Sequence, residues 1–153
     1  MPIGVLLNFD DYSYVKNTLS QYSASLDTTK SIEIMKRIVE SKIIGSNYVL
    51  EKYGFKSHTP ELTIKSNDLK TARRNLMGIE GKMAEYYYNC IFQLFPEKIR
   101  PIRRIGYKAF DGTNNLFNFG YAILRYKIQI AILKANLSLI SVTFIQHNSG
   151  NHP

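Results

Sequence analysis

Few residues in this sequence have a type and spacing that could carry chemistry, and most of them stand alone. Glu80 lies between Gly78 and Gly81, where a helix is expected to begin. One carboxylate is a weak site for a divalent cation, which carboxylate and imidazole ligands usually hold together. A lone glutamate at a helix start is otherwise a stabiliser of the helix dipole. Glu80 is therefore a candidate catalytic residue only if a wider motif supports it.

The histidines and the cysteine add little to such a site. His58 and His152 lie in polar stretches without a second ligand at metal spacing, so solvated loop positions are the better interpretation. Cys90 is the only cysteine, which excludes an intrachain disulfide and predicts a buried thiol.

Positive charge is the second chemical feature of the chain. Twenty Lys and Arg residues against twelve Asp and Glu give a net charge of +8, which should attract polyanions, with nucleic acid as the first candidate. A basic surface without such a partner is an equally good explanation of the charge alone. The candidate phosphate-binding residues are Arg73, Arg74, Lys98, Arg100, Arg103, Arg104 and Lys108.

The elements that must position these residues are mainly helical. Residues 1–26 contain a short apolar run, Ile3–Leu7, which predicts a strand and then an irregular connection. The run lacks a basic leader and is too short to span a bilayer, so we expect a cytoplasmic protein. Asp27 or Thr28 should cap a long helix that ends near Gly54, with Ile32, Met35, Val39 and Ile43 facing inward.

Three further helices are expected. A short one covers residues 68–76, and the next begins within residues 78–81, turns Met83, Ala84, Tyr87, Ile91 and Leu94 inward, and stops before Pro96. Thr113 should cap the last helix, which runs to about Asn136 with one apolar stripe formed by Leu116, Phe119, Ile123, Ile130 and Leu133. The fold class is therefore all-α, a helical bundle preceded by a β remnant.

Two motifs on these helices resemble one protein family. Asn75-Leu76-Met77-Gly78-Ile79-Glu80-Gly81 is similar to the helix-opening signature of the CRISPR-associated endonuclease and integrase that acquires spacers. Phe110-Asp111-Gly112-Thr113 followed by Asn118-Phe119-Gly120-Tyr121-Ala122-Ile123-Leu124 resembles its second signature. The resemblance covers roughly residues 20–137. It implies that residues 1–26 are a remnant of the family's β-domain with a linker, and that residues 27–137 belong to its helical catalytic domain.

The same resemblance implies a function. Members of this family are metal-dependent DNA endonucleases and integrases, and Glu80 matches the glutamate that binds their catalytic Mg²⁺ or Mn²⁺. In the family the β-domain forms homodimers that bind a second, smaller CRISPR-associated protein. Both partnerships are doubtful for a chain with only a remnant of that domain.

The tail after Leu137 departs from the family pattern. There the family continues with Glu-Pro-Tyr-Leu-Gly, a metal-binding histidine and a later aspartate. With suitable synonymous codons, residues 138–153 read that motif when the frame starts one base earlier, so we hypothesise a frameshift after Leu137. His147 then belongs to the shifted frame and does not inherit the ligand role.

The sequence thus predicts a truncated integrase that is catalytically incompetent because the histidine and aspartate ligands are missing. A non-catalytic basic helical module that binds DNA and a decayed gene product without a function are the alternatives.

Overall fold

The computed structural model describes residues 12–64, 68–106 and 108–139, and within these ranges it is all-α, as expected. The helices are α1, Tyr12–Leu26; α2, Thr28–Lys52; α3, Leu69–Phe92; and α4, Gly112–Lys134, with a 3₁₀ turn at Glu97–Ile99 between the last two. The expected strand at Ile3–Leu7 and most of the tail lie outside the described residues.

The chain forms two compact units, of which residues 28–124 contain α2, α3 and the first part of α4. The core of this unit lies between α2 and α3. Its buried members are Val39, Ile43, Leu50, Leu76, Met83 and Cys90, with Met35 and Tyr87 packed against them. The predicted inward face of α2 and the buried Cys90 thiol are confirmed. Gly54 ends α2 with a φ of 78°, a conformation that glycine adopts without strain.

α3 is one continuous helix, so the expectation of two separate helices on either side of residues 77–78 is wrong. Asp68 caps its start by accepting a hydrogen bond from the Thr71 amide at 2.8 Å. A glycine inside a helix costs about 1 kcal/mol relative to alanine, but it keeps its backbone hydrogen bonds. Leu76 and Met83 are each 2% exposed, and their burial offsets that cost. Leu94 lies beyond the end of α3 and is exposed, not buried as expected.

α4 differs from its predicted form in its cap and in its buried face. Asp111, rather than Thr113, accepts the hydrogen bond from the Asn114 amide at 2.7 Å. Thr113 instead donates its hydroxyl to the Ile99 carbonyl. Leu116 and Phe119, members of the predicted inward stripe, are 65% and 64% exposed. The helix turns its asparagine face inward instead, because hydrogen bonds described below hold that face.

The described part of the other unit comprises residues 12–27 and 125–139. α1 occupies most of the segment that was expected to be an irregular connection, so that expectation is wrong for residues 12–26. Its apolar residues Tyr12, Val15, Leu19, Tyr22 and Leu26 recur every three or four positions, which is a helical spacing, and the segment contains no Gly or Pro. The polar face of α1 contacts the residues that follow α4. The Ser13 hydroxyl accepts a hydrogen bond from the Asn136 side chain, and the Gln21 side chain accepts one from the Ser138 amide, each at 2.8 Å.

Candidate functional site

Glu80 lies in the middle of α3, not at a helix start. Its carboxylate accepts a hydrogen bond from the Lys42 ammonium group on α2, with a distance of 2.5 Å between Nζ and Oε1. The side chains of Lys42 and Glu80 are 60% and 33% exposed. Because Glu80 is eleven residues from the first residue of α3, the helix-dipole interpretation does not apply. Its partner is a specific cation on the neighbouring helix.

The apolar core sets this pairing. Lys42 precedes the buried Ile43 on α2, and Glu80 lies between the buried Leu76 and Met83 on α3. Residues three or four apart share one face of a helix, so Glu80 follows the core face of α3. Packing of these side chains fixes which turns of the two helices meet, and the long Lys42 side chain then reaches the carboxylate at the edge of the core.

The donor set around Glu80 does not fit a divalent cation. Within residues 12–64, 68–106 and 108–139, no three His, Cys, Asp or Glu side chains form a group that could hold a metal ion. The carboxylate is paired with an ammonium group, which is a donor only and cannot ligate a metal while it is protonated. His58 is exposed, as predicted, and its ring lies 5.7 Å from the ring of Tyr86. His147 and His152 lie outside the described residues.

Arg104 is the centre of a second polar site, next to α4. Its guanidinium donates to the Asn114 side chain at 3.2 Å, to the Asn118 side chain at 2.7 Å and to the Ile105 carbonyl. Asn114 and Asn118 lie one helical turn apart, so the planar guanidinium bridges successive turns of α4. We call this arrangement, with the residues that support it below, the Arg104 clamp.

Aromatic rings enclose the Arg104 clamp. The guanidinium carbon lies 5.4 Å from the ring centre of Tyr88, 5.6 Å from that of Tyr121 and 5.8 Å from that of Phe117, within the range of cation–π attraction. The hydroxyls of Tyr88 and Tyr121 are 2.7 Å apart. Burial, followed by this hydrogen bond, raises the pKa of Tyr88 to about 12. Tyr88 therefore remains a neutral hydrogen-bonding partner of Tyr121 at physiological pH.

Asn114 ties the clamp to the chain that precedes α4. Its side-chain oxygen also accepts from the Ile105 amide at 3.0 Å, and its side-chain nitrogen donates to the Arg103 carbonyl at 3.0 Å and to the Asp111 carboxylate at 2.8 Å. The hydrogen bonds that Asp111 accepts from the side chain and the amide of Asn114 lower the pKa of the Asp111 carboxyl. Asn114 is completely buried, and the bonds satisfy every polar atom of its side chain. The role of Asn114 is not apparent from apolar periodicity, although a polar pair after Asp111-Gly112 is a signal of local capping.

The structure does not gather the predicted phosphate-binding residues into one patch. Arg73 and Arg74 lie in the first turns of α3, whereas Arg104 contacts Tyr88, about 20 Å further along the helix at 1.5 Å per residue. Arg100 donates to the carbonyls of Phe95 and Gln93, so it holds the turn that follows α3. The remaining candidates, Lys98, Arg103 and Lys108, are exposed.

Glu80 lies between these two groups of cations along α3. It is six residues, or about 9 Å, from Arg74 and eight residues, or about 12 Å, from Tyr88. Arg73 is seven residues from Glu80, which places both on the same face two turns apart. A polyanion that followed α3 would therefore meet positive charge on either side of Glu80.

Comparison with known proteins identifies the family. The model of the family described as CRISPR associated protein Cas1 matches residues 1–141. The chain belongs to this family. The match begins at residue 1, so it extends the sequence resemblance, which started near residue 20, to include α1.

One curated member of the Cas1 family shows how much of the sequence is shared. The CRISPR-associated endonuclease Cas1 of Methanothermobacter thermautotrophicus is 26% identical over 106 residues, which are 69% of this chain and 31% of that protein. The chain therefore aligns with less than a third of the length of this relative. No solved structure matches the chain significantly.

The two Cas1-like motifs build the two polar sites. The first contains Glu80, and the second contains Asn118 and Tyr121 of the Arg104 clamp. No helix among the described residues is long and apolar enough to cross a membrane.

Proposed function

We propose that this chain is a DNA-binding portion of a Cas1-type integrase and that it does not cleave DNA by itself. The observation that carries the proposal is the pairing of Glu80 with Lys42: the carboxylate that matches the family's metal ligand contacts an ammonium group. A cation site for strand cleavage needs several anionic or imidazole ligands on one ion. The family ions are Mg²⁺ or Mn²⁺, and the chemistry they supply when bound is stabilisation of charge on the phosphate.

The arrangement of charge along α3 supports DNA as the ligand. Arg73 and Arg74 on one side and the segment with Arg103 on the other could contact phosphates of one DNA molecule, because phosphate contacts supply most non-specific affinity. Arg100 and Arg104 fix the course of that segment through their contacts within the protein.

Charge reversal tests DNA binding directly. Fluorescence anisotropy with a labelled branched DNA should show that log affinity falls linearly with log salt. Arg74→Glu and Arg103→Glu should each weaken binding and reduce the salt slope by about one, and Lys127→Glu, the same charge change on α4, should have a smaller effect. A flat salt response, or an equal effect of Lys127→Glu, would show that Arg74 and Arg103 do not bind DNA.

The wider Cas1 assignments are part of the same proposal. A cytoplasmic location and a DNA ligand follow for this chain from the family. Integration of new spacers into a CRISPR array, the homodimer and the smaller CRISPR-associated partner are properties of the family, and we do not expect this chain to show them by itself, because it carries only a remnant of the β-domain. Size-exclusion chromatography with multi-angle scattering measures the oligomeric state, and a stable dimer of this chain would contradict that expectation.

The frameshift hypothesis concerns the gene. Sequencing across codons 135–140 should show codons that read Glu-Pro-Tyr-Leu-Gly one base earlier. Incompatible codons would remove the hypothesis without affecting the DNA-binding proposal.

A further inference from the structure

A pocket between α3 and α4 has no role in the proposed function as stated so far. Its volume is about 300 Å³, at the small end of the range of ligand pockets. Gly120, which has no side chain, leaves this space open between Leu116 and Leu124, one turn before and after it on the same face of α4. A Cβ atom at residue 120 would meet no atom within 4 Å. The aromatic residues that line the pocket are Tyr87, Tyr88, Phe95, Phe117 and Tyr121.

The walls of this pocket suit a flat ring with a polar edge. The aromatic side chains supply apolar surface on which a planar ring can stack. The hydroxyls of Tyr88 and Tyr121 add a polar position, with their oxygens 2.7 Å apart. Two hydroxyls carry two O–H groups and the bond between them uses one, so the other can donate to a ligand.

The charge beside the pocket indicates the class of ligand. The Arg104 guanidinium lies 5.4 to 5.8 Å from the centres of three lining rings. Its side-chain partners are neutral amides, which leave its positive charge in place, and the neighbouring Arg103 is exposed. A nucleic acid strand is anionic and carries planar rings, so it matches both the charge and the walls. An apolar protein segment would match the walls alone.

From these observations we propose that the pocket receives one unpaired nucleobase of a DNA strand whose backbone contacts the basic segment at Arg103. The inference rests on the proposed DNA binding. The bases of a duplex are paired and stacked on one another, so a base can enter a pocket of this size only from a single-stranded or opened part of the DNA. The chain should therefore bind DNA that has unpaired bases more tightly than DNA of equal charge that has none.

Two DNA ligands that differ only in their unpaired bases provide the test. Each is a labelled duplex with a short single-stranded overhang, which carries thymine bases in one ligand and abasic sites in the other. The number of phosphates is then the same. Stacking of one base on aromatic side chains contributes a factor of about five or more in affinity. Fluorescence anisotropy should therefore show that the native chain binds the thymine ligand about fivefold more tightly than the abasic ligand.

Gly120→Leu fills the pocket without removing a side chain from its wall. Leucine is a better helix former than glycine, so α4 should be retained, and circular dichroism checks this. The variant should lose the preference for the thymine ligand and keep its affinity for the abasic ligand. Gly45→Leu is the matched control, because it makes the same change in α2, also where a Cβ meets no atom within 4 Å, and it should keep the preference. Tyr121→Leu, which removes a half-exposed ring from the wall, should lose most of the preference.

The outcomes decide the inference either way. A preference of the native chain that Gly120→Leu and Tyr121→Leu lose and Gly45→Leu keeps supports it. A preference that is undiminished in Gly120→Leu or Tyr121→Leu, or that Gly45→Leu loses as well, overturns it. Salt-dependent binding of both ligands with equal affinity by the native chain would refute the pocket assignment and leave the DNA-binding proposal intact. No binding of either ligand would refute the proposed function and the inference together.

Discussion

Replacement of Asn114 by alanine should unfold the connection before α4 and destabilise the whole unit of residues 28–124. The variant would leave the Ile105 amide, the Arg103 carbonyl and part of the Arg104 guanidinium without their partner. A polar group that loses its partner in a buried position costs about 1–3 kcal/mol. Arg103 is exposed and its carbonyl can find water, so the lower end applies, and we expect a total loss of about 3 kcal/mol.

Urea unfolding followed by circular dichroism measures this loss. With a slope of about 1–3 kcal/mol per molar urea, a loss of about 3 kcal/mol lowers the midpoint by about 1–3 M. Such a change is a large part of the total stability of a small domain. Comparison of the circular dichroism of the variant and of the native chain without urea also shows whether the helices of the variant remain intact before unfolding begins.

Asn115 provides a matched control for Asn114. It is the next residue on the same helix, it has the same side chain, and it is exposed. Asn115→Ala should change the free energy of unfolding by about 0.5 kcal/mol or less, since it removes no buried contact. If Asn114→Ala costs less than about 1 kcal/mol, or no more than Asn115→Ala, the Arg104 clamp does not hold the chain as described.

Three further results are expected. The pKa of Tyr88, about 12, lies above the ordinary value of 10.0, so the neutral Tyr88 side chain contributes its full stabilisation below pH 10 and loses it as the pH rises through 12. The urea midpoint of the native chain should therefore fall at alkaline pH, and Tyr88→Phe should make that fall smaller. An unchanged fall in Tyr88→Phe would contradict this. Gly54→Ala should lower the melting temperature, because residue 54 has a positive φ that alanine adopts only with strain. Gly45→Ala, inside α2, should not lower it, and equal shifts in the two variants would contradict the reasoning. Cys90 should react slowly with a thiol reagent in the native chain and quickly in urea, and fast native labelling would show that it is not buried.

Apolar periodicity predicts which face of a helix is buried where the apolar residues pack into the core. The stripe of α2 with Val39 and Ile43 faces the core as expected, and so does Met83 of the predicted inward face of α3. The prediction of a helix boundary at Gly78 and Gly81 is wrong, because α3 continues through both residues. Glycine weakens a helix without breaking it, so its effect depends on tertiary packing that local sequence does not reveal.

The face of α4 could not be predicted from apolar spacing. Leu116 and Phe119 have the spacing of a buried stripe but are exposed, whereas Asn114 is completely buried. The reason is the guanidinium of Arg104, ten residues before Asn114, which draws the asparagine face inward through hydrogen bonds. Such a contact joins residues that no periodic pattern connects.

The candidate site was found from the sequence only through the family motif. The motif indicates Glu80 as the candidate metal ligand, which stays a prediction, and its partner Lys42 is 38 residues away and carries no motif. Of the predicted phosphate-binding residues, Arg100 and Arg104 contact the protein itself. Their DNA-binding role, like that of the other candidates, stays a prediction.

The central claim is that Glu80 of this chain is an ion-paired residue and not part of a working metal centre. Incubation of the purified chain with a labelled branched DNA and Mg²⁺ or Mn²⁺ tests this claim most directly. The account predicts no cleavage or strand transfer above background, and the same result for Glu80→Ala. Efficient metal-dependent cleavage by the native chain that Glu80→Ala abolishes would contradict it.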